Sequence, residues 1–169
     1  MSVFQRIVVG VDGSDPSNAA VALAVRVACD TNESEIVFCF VLDVDDDYRV
    51  AAASESTIGG DELVHEDRRT GRAYLDAAER TASAAGVRTV GEILTGDPGK
   101  TLAQFASDGR FDLLVVGTHG RNGIQRMFLG STAETVLRHA TVPVLTIKVS
   151  CAARAGDGID ATSVQQTSP

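Results

Sequence analysis

The residues best suited to hold an anion lie between positions 117 and 132, which read Gly-Thr-His-Gly-Arg-Asn-Gly-Ile-Gln-Arg-Met-Phe-Leu-Gly-Ser-Thr. Glycine accepts positive φ and lets the backbone come close to a ligand, so successive N–H groups can converge on one anion. Gly117, Gly120 and Gly130 punctuate the stretch, and Gly130-Ser131-Thr132 opens a segment of helical period. At a helix N-terminus free N–H groups and the macrodipole both favour negative charge. A hydroxyl from Ser131 or Thr132 can add a bond to a phosphate oxygen. Chemically this is a phosphate grip. The same residues also suit a plain connection in which Ser131 only caps the helix, and both readings stand at this point.

A second reversal, Asp12-Gly13-Ser14-Asp15-Pro16, follows the first apolar run. Asp12 is placed either to meet a ligand or to bond its own backbone, as Asp does in turns. Other polar residues carry less. His119, Arg121 and Arg126 fall inside the glycine stretch, where the histidine could approach a phosphate and the arginines could supply charge to it, and all three equally suit solvated loop positions. The acidic run from Asp43 to Asp47 lacks the D-x-[DN]-x-[DN]-G…E order of a calcium loop. His65 and His139 have no partner at metal-ligand spacing. No metal site is expected from side chains, and no side chain stands out as catalytic.

These reversals need strands and helices to hold them. Residues 6–11 form a β-branched run, and Ser14 or Asp15 can cap the helix that follows, with Pro16 in its first turn. Ala20, Leu23, Ala24, Val27 and Ala28 repeat at the 3-and-4 spacing of a buried helical face. Ile36 to Leu42 is almost unbroken apolar sequence, as in a strand covered on both faces. Residues 43–60 read as a long polar loop. A helix is predicted over 61–85, with Leu75, Ala78, Ala82 and Ala85 on one stripe and Gly86 as its terminator. A weaker strand over 88–95 carries Val90, Ile93 and Leu94, and a helix from Gly96-Asp97-Pro98 to about Ser107 turns Leu102, Phe105 and Ala106 inward. Residues 112–117 are the clearest strand; after the glycine loop a helix to about His139 packs Ala133, Val136, Leu137 and Ala140. Residues 141–148 form a fifth strand, and Pro143 near its start fits a sheet edge. This β-α alternation predicts a parallel α/β sheet with helices on both faces.

A chain of 169 residues suits one hydrophobic core. Residues 1–149 form the expected domain, and 150–169, small, polar and without period, a disordered tail. The formal net charge of −8 argues against nucleic-acid partners, which need a basic face. A nucleotide ligand remains compatible, because backbone N–H groups and a bound cation can hold its phosphates. No apolar stretch approaches the about 20 residues of a membrane span. The N-terminus reads as a strand rather than a signal peptide. Cys29, Cys39 and Cys151 show no CxxC spacing and read as reduced thiols, two of them in buried elements. A cytoplasmic setting is expected.

The spacing G-x2-G-x9-G-[ST] at Gly117, Gly120, Gly130 and Ser131 combines with the opening Ile-Val-Val-Gly-Val-Asp-Gly-Ser. Together these resemble the universal stress proteins, specifically the branch that binds ATP, over residues 3–149. The resemblance implies a five-stranded parallel doubly wound sheet of order 3-2-1-4-5, a Rossmann-like arrangement akin to the adenine nucleotide alpha hydrolases. It also implies ATP as ligand, with Mg2+ held mainly through the phosphates. Adenine would lie near Asp12 and Val41, ribose beside Gly117, and the phosphates around Gly120, Gly130, Ser131 and Thr132. A homodimer through the fifth strand is implied too. That edge has its own need of cover, since its backbone groups are otherwise unpaired.

Three function classes follow. The first is a nucleotide-binding regulatory module of the stress response. The second is a slow ATPase, or a protein that phosphorylates its own Ser131. The third is a dimeric interaction protein with a vestigial site, and the intact glycine pattern counts against it. The Walker pattern, GxGxxG after strand one, Ser-Gly-Gly-x-Asp-Ser and His-x-Gly-His are all missing, which removes P-loop NTPases, dinucleotide enzymes, ATP pyrophosphatases and nucleotidyl transferases.

Overall fold

The computed structural model describes residues 4–30, 34–43, 60–118 and 129–149. The expected tail, the acidic loop beyond Asp43, Cys151 and Gly120 lie outside the described residues. Among the described residues nine elements alternate: β1 (Arg6–Gly10), α1 (Asp15–Cys29), β2 (Glu35–Leu42), α2 (Gly60–Ala84), β3 (Arg88–Thr95), α3 (Pro98–Asp108), β4 (Leu113–Gly117), α4 (Ser131–His139) and β5 (Val144–Ile147). All strand pairs are parallel, and the sheet order is β3-β2-β1-β4-β5. Ile7 sits opposite Ile36 on one side and Leu113 on the other, so β1 is the central strand.

Alternation along the strands builds two cores. Ile7, Val9, Ile36, Phe38 and Val115 face α1 and α2, while Val8, Val37, Cys39, Leu114 and Val116 face α3 and α4. Successive side chains of a strand point to opposite faces, which is why unbroken apolar runs serve a sheet covered twice. Burying each such Val, Ile or Leu contributes about 1.5–3 kcal/mol relative to exposure. Among the described residues no helix is long and apolar enough to cross a membrane.

Helix starts follow their expected chemistry. Ser14 caps α1 by accepting from the Ser17 N–H, and Asp97 caps α3 by accepting from the Lys100 N–H at 2.7 Å. Pro16 and Pro98 occupy the first turns. Gly86, at φ +75°, reverses the chain after α2 as expected of a helix terminator.

Several expectations shift. On α1 the buried set is Ser17, Ala20, Val21, Ala24, Val25 and Ala28, whereas Leu23 and Val27 are only half-buried. The helix lies on the sheet beside α2, so its buried arc is turned toward both partners. Ala85 falls past the end of α2 and is exposed. Leu137 on α4 is 50% exposed and Val90 on the edge strand β3 is 42% exposed. Cys29 ends α1 in an exposed position, so only Cys39 of the described cysteines is a core thiol. β5 is shorter than the apolar run suggests, and Pro143 precedes it. The proline carbonyl, which needs no donor of its own, accepts from the Leu114 N–H at 2.9 Å.

Candidate functional site

β1 and β4 lie side by side, paired from Ile7↔Leu113 to Val9↔Val115. The helix after β1 packs on one face of the sheet and the helix after β4 on the other. A crevice therefore opens beyond the carboxyl ends of these two strands, the switch point where open α/β sheets place ligands. Asp12 and Gly117 both belong to this end of the sheet.

Asp12 behaves first as a turn residue. Its Oδ1 accepts from the Ser14 N–H at 3.0 Å and from the Ser14 hydroxyl at 2.6 Å. Both bonds fall on Oδ1. Its own N–H donates to Ser17 Oγ at 3.1 Å, and that hydroxyl donates to the Gly10 carbonyl at 3.4 Å. Ser17 is 2% exposed and organises the turn from beneath. No sequence signal marks it, because a serine three residues after a capping serine looks like ordinary helix surface. Gly13 holds φ +80°, and the space its missing Cβ leaves is filled by the ring of Tyr74 from α2. Nothing in the sequence ties Tyr74 to position 13, since the contact joins the turn between β1 and α1 to the middle of α2.

Gly117 has a packing duty of its own. A Cβ there would come within 2.9 Å of Pro16 and of the Ser17 backbone nitrogen. The absence of a side chain lets the start of α1 rest directly on the end of β4. The next residue, Thr118, is buried; its N–H donates to the Ile147 carbonyl at 2.8 Å, and its carbonyl accepts from the Gly130 N–H at 2.6 Å. The two ends of the glycine loop are thereby pinned together. The Gly130 amide is spent on Thr118.

The donors that remain belong to the first turn of α4. The N–H groups of Ser131, Thr132 and Ala133 have no intrahelical acceptor by helix geometry. The first N–H to find one is that of Glu134, which donates to the Gly130 carbonyl at 2.9 Å. Unlike α1 and α3, this helix has no side-chain cap, because its N-cap is Gly130. Ser131 is exposed and Thr132 half-buried. The α3 start crowds against this turn: a Cβ on Gly99 would lie 3.0 Å from the Thr132 carbonyl oxygen.

Val41 sits near the end of β2 with its side chain against the α3–α4 core. Pairing with β1 stops at Gly10↔Cys39, and the Cys39 carbonyl accepts from the Val11 N–H at 2.8 Å. The Leu42 carbonyl accepts from Gly96 on the β3 side. Because backbone groups alternate sides along a strand, Val41 turns its N–H and C=O toward the β1 side, past the last paired residue. Asp12, Val41, Gly117, Gly130, Ser131 and Thr132 are thus gathered at one end of the sheet. Gly120, together with His119, Arg121 and Arg126, lies outside the described residues. Among the described residues no group of three or more His, Cys, Asp or Glu could hold a metal ion.

Residues 4–148 match the universal stress protein family, and the chain belongs to it. It is 33% identical over 148 residues to the universal stress protein MJ0531 of Methanocaldococcus jannaschii, covering 87% of this chain and 84% of that one. Among solved structures it is similar to a universal stress protein in complex with cAMP, at 30% identity and a TM-score of 0.67 over 88% of this chain and all of that one. The hypothetical protein MJ0577 shares the fold at a TM-score of 0.76 and 20% identity, over 88% of this chain and 99% of that one.

Proposed function

We propose that the crevice beyond β1 and β4 binds an adenine nucleotide, ATP, and that the protein acts as a nucleotide-dependent regulatory module of the stress response. The observation that carries this reading is the first turn of α4. Its donors are left without a side-chain cap beside the glycine loop, at the sheet's ligand-binding end. The backbone of Val41 and the Asp12 turn suit the edge of the base. Gly117 sits where the ribose would pass. Ser131 and Thr132, with Gly120, suit the phosphates, and Mg2+ would come in on the phosphates themselves. The cAMP complex of a relative at 30% identity supports an adenine ligand.

The test identifies the nucleotide released when the purified protein is denatured, for the wild type and for Gly130→Val. At φ −76° and ψ 158° this position accepts a β-branched residue without backbone strain. The variant is expected to fold and to lose its adenine nucleotide. Unchanged nucleotide content in folded Gly130→Val refutes the cradle. Multiple-turnover hydrolysis that disappears in Ser131→Ala would favour the enzyme reading instead. We also propose a homodimer that pairs through β5, whose outer edge has no partner within the described residues.

A further inference from the structure

Two aromatic rings and two glycines lock α2 to the base end of the crevice. The ring of Tyr74 occupies the space beside Gly13, close enough that any Cβ there would overlap it. Gly13 already holds φ +80°, so both its torsion and its surroundings demand glycine. One turn earlier, Gly71 leaves room for the Phe40 ring beneath the helix. Phe40 and Tyr74 then meet as a tilted aromatic pair with centroids 6.2 Å apart. Phe40 is the residue before Val41, and Gly13 is the residue after Asp12. One tyrosine therefore buttresses both segments assigned to the base, yet it belongs to neither.

We propose that Tyr74 is a positioning residue for the base end of the site, holding the Asp12 turn through Gly13 and the Val41 backbone through Phe40. The inference rests on the adenine-nucleotide reading of the crevice and adds how that site chooses its base. Base recognition by backbone groups depends on their exact placement, since a main-chain N–H and C=O have no rotamer with which to adjust. The phosphate end has no such dependence on Tyr74, because the first turn of α4 lies across the sheet from α2. Removing the ring frees the Gly13 turn to adopt other conformations. If the binding-competent arrangement falls to about one molecule in ten, apparent affinity falls about tenfold. Only ligands that use the base end should feel this loss.

The measurement is the dissociation constant for ATP and for GTP with the wild type, Tyr74→Ala and Tyr74→Phe. Wild type is expected to prefer ATP. Tyr74→Ala should bind ATP about tenfold more weakly with GTP nearly unchanged, collapsing the preference, whereas Tyr74→Phe keeps the ring and the preference. An intact preference in folded Tyr74→Ala overturns the proposal, as does a parallel loss of both nucleotides. Loss of the preference in Tyr74→Phe would shift the role to the hydroxyl and overturn the packing argument. A wild type with no preference for ATP sinks the adenine reading itself, and this inference with it. A second measurement needs no truncated ring. The chain has no tryptophan and two tyrosines, so in a Tyr48→Phe background Tyr74 is the sole source of tyrosine emission. That emission should change on saturation with ATP and stay flat with inorganic tripolyphosphate. Emission indifferent to ATP overturns the proposal.

Discussion

Gly117 illustrates how much one hydrogen in place of a methyl group can decide. It permits α1 to start directly against β4, with Pro16 and Ser17 within 2.9 Å of where a Cβ would stand. The neighbouring atoms are mostly backbone and cannot swing aside. Gly117→Ala is therefore expected to cost about 1–3 kcal/mol, the usual range for overpacking. A urea midpoint equal to that of the wild type would show that the α1 start has slack. Cys39 carries a different kind of constraint. Burial, and after it the nearby Glu92 carboxylate, pushes its thiol from 9.0 up to about 12. The unfolded chain gives up this proton near the ordinary thiol value, the folded chain only well above it. The associated stability is complete below the ordinary value and is lost as pH rises through that window. Urea midpoints at about pH 8 and pH 11 should accordingly fall more steeply for the wild type than for Cys39→Ala. Parallel slopes would mean that the thiol is less protected than its place in β2 indicates.

Among the elements, α4 differs from α1 and α3 in how it begins. Ser14 and Asp97 satisfy their own helix starts, whereas Gly130 contributes no side chain. A helix that lacks a cap forgoes stability unless something else meets its first-turn donors. Gly130→Asp supplies that cap internally and puts a carboxylate where a phosphate would bind. Thermal stability without nucleotide should rise by a few tenths of a kcal/mol, while nucleotide binding disappears. A capped variant that still takes up ATP would contradict the proposed use of this turn. The same element shows where sequence patterning misleads. Leu137 has the period of a core residue but is half exposed, because α4 is a short helix whose buried contacts come from Ala133 and Val136.

At the scale of the whole molecule the sheet of the described residues ends on β3 at one side and β5 at the other. On β3 the guanidinium of Arg72 and the carboxylate of Glu79 lie over Gly91, and Arg72 also bonds Asp76 at 2.6 Å. β5 turns the carbonyls of Pro143 and Ile147 toward β4, which leaves the N–H of Thr146 on the outer side. Thr146→Pro removes an outward donor without breaking a bond to β4, a change that edge strands tolerate. Sedimentation should report a dimer for the wild type and a monomer for this variant. A wild type that sediments as a monomer would rule out pairing through β5.

Much of this architecture is written locally. The alternation of apolar runs with helical periods, the capping residues Ser14 and Asp97, and the glycine spacing at 117, 120 and 130 are short-range signals. They are enough for a parallel α/β sheet, and the resemblance they carry supplies its strand order. Contacts between segments far apart in sequence were not legible. The bond from Gly130 to Thr118, the packing of Pro16 on Gly117 and the seat of Tyr74 on Gly13 exist only once the strands have paired. Sequence period records which face of an element is apolar. It does not record which atoms meet that face, and the tertiary packing alone determines which amides are spent and which remain for a ligand.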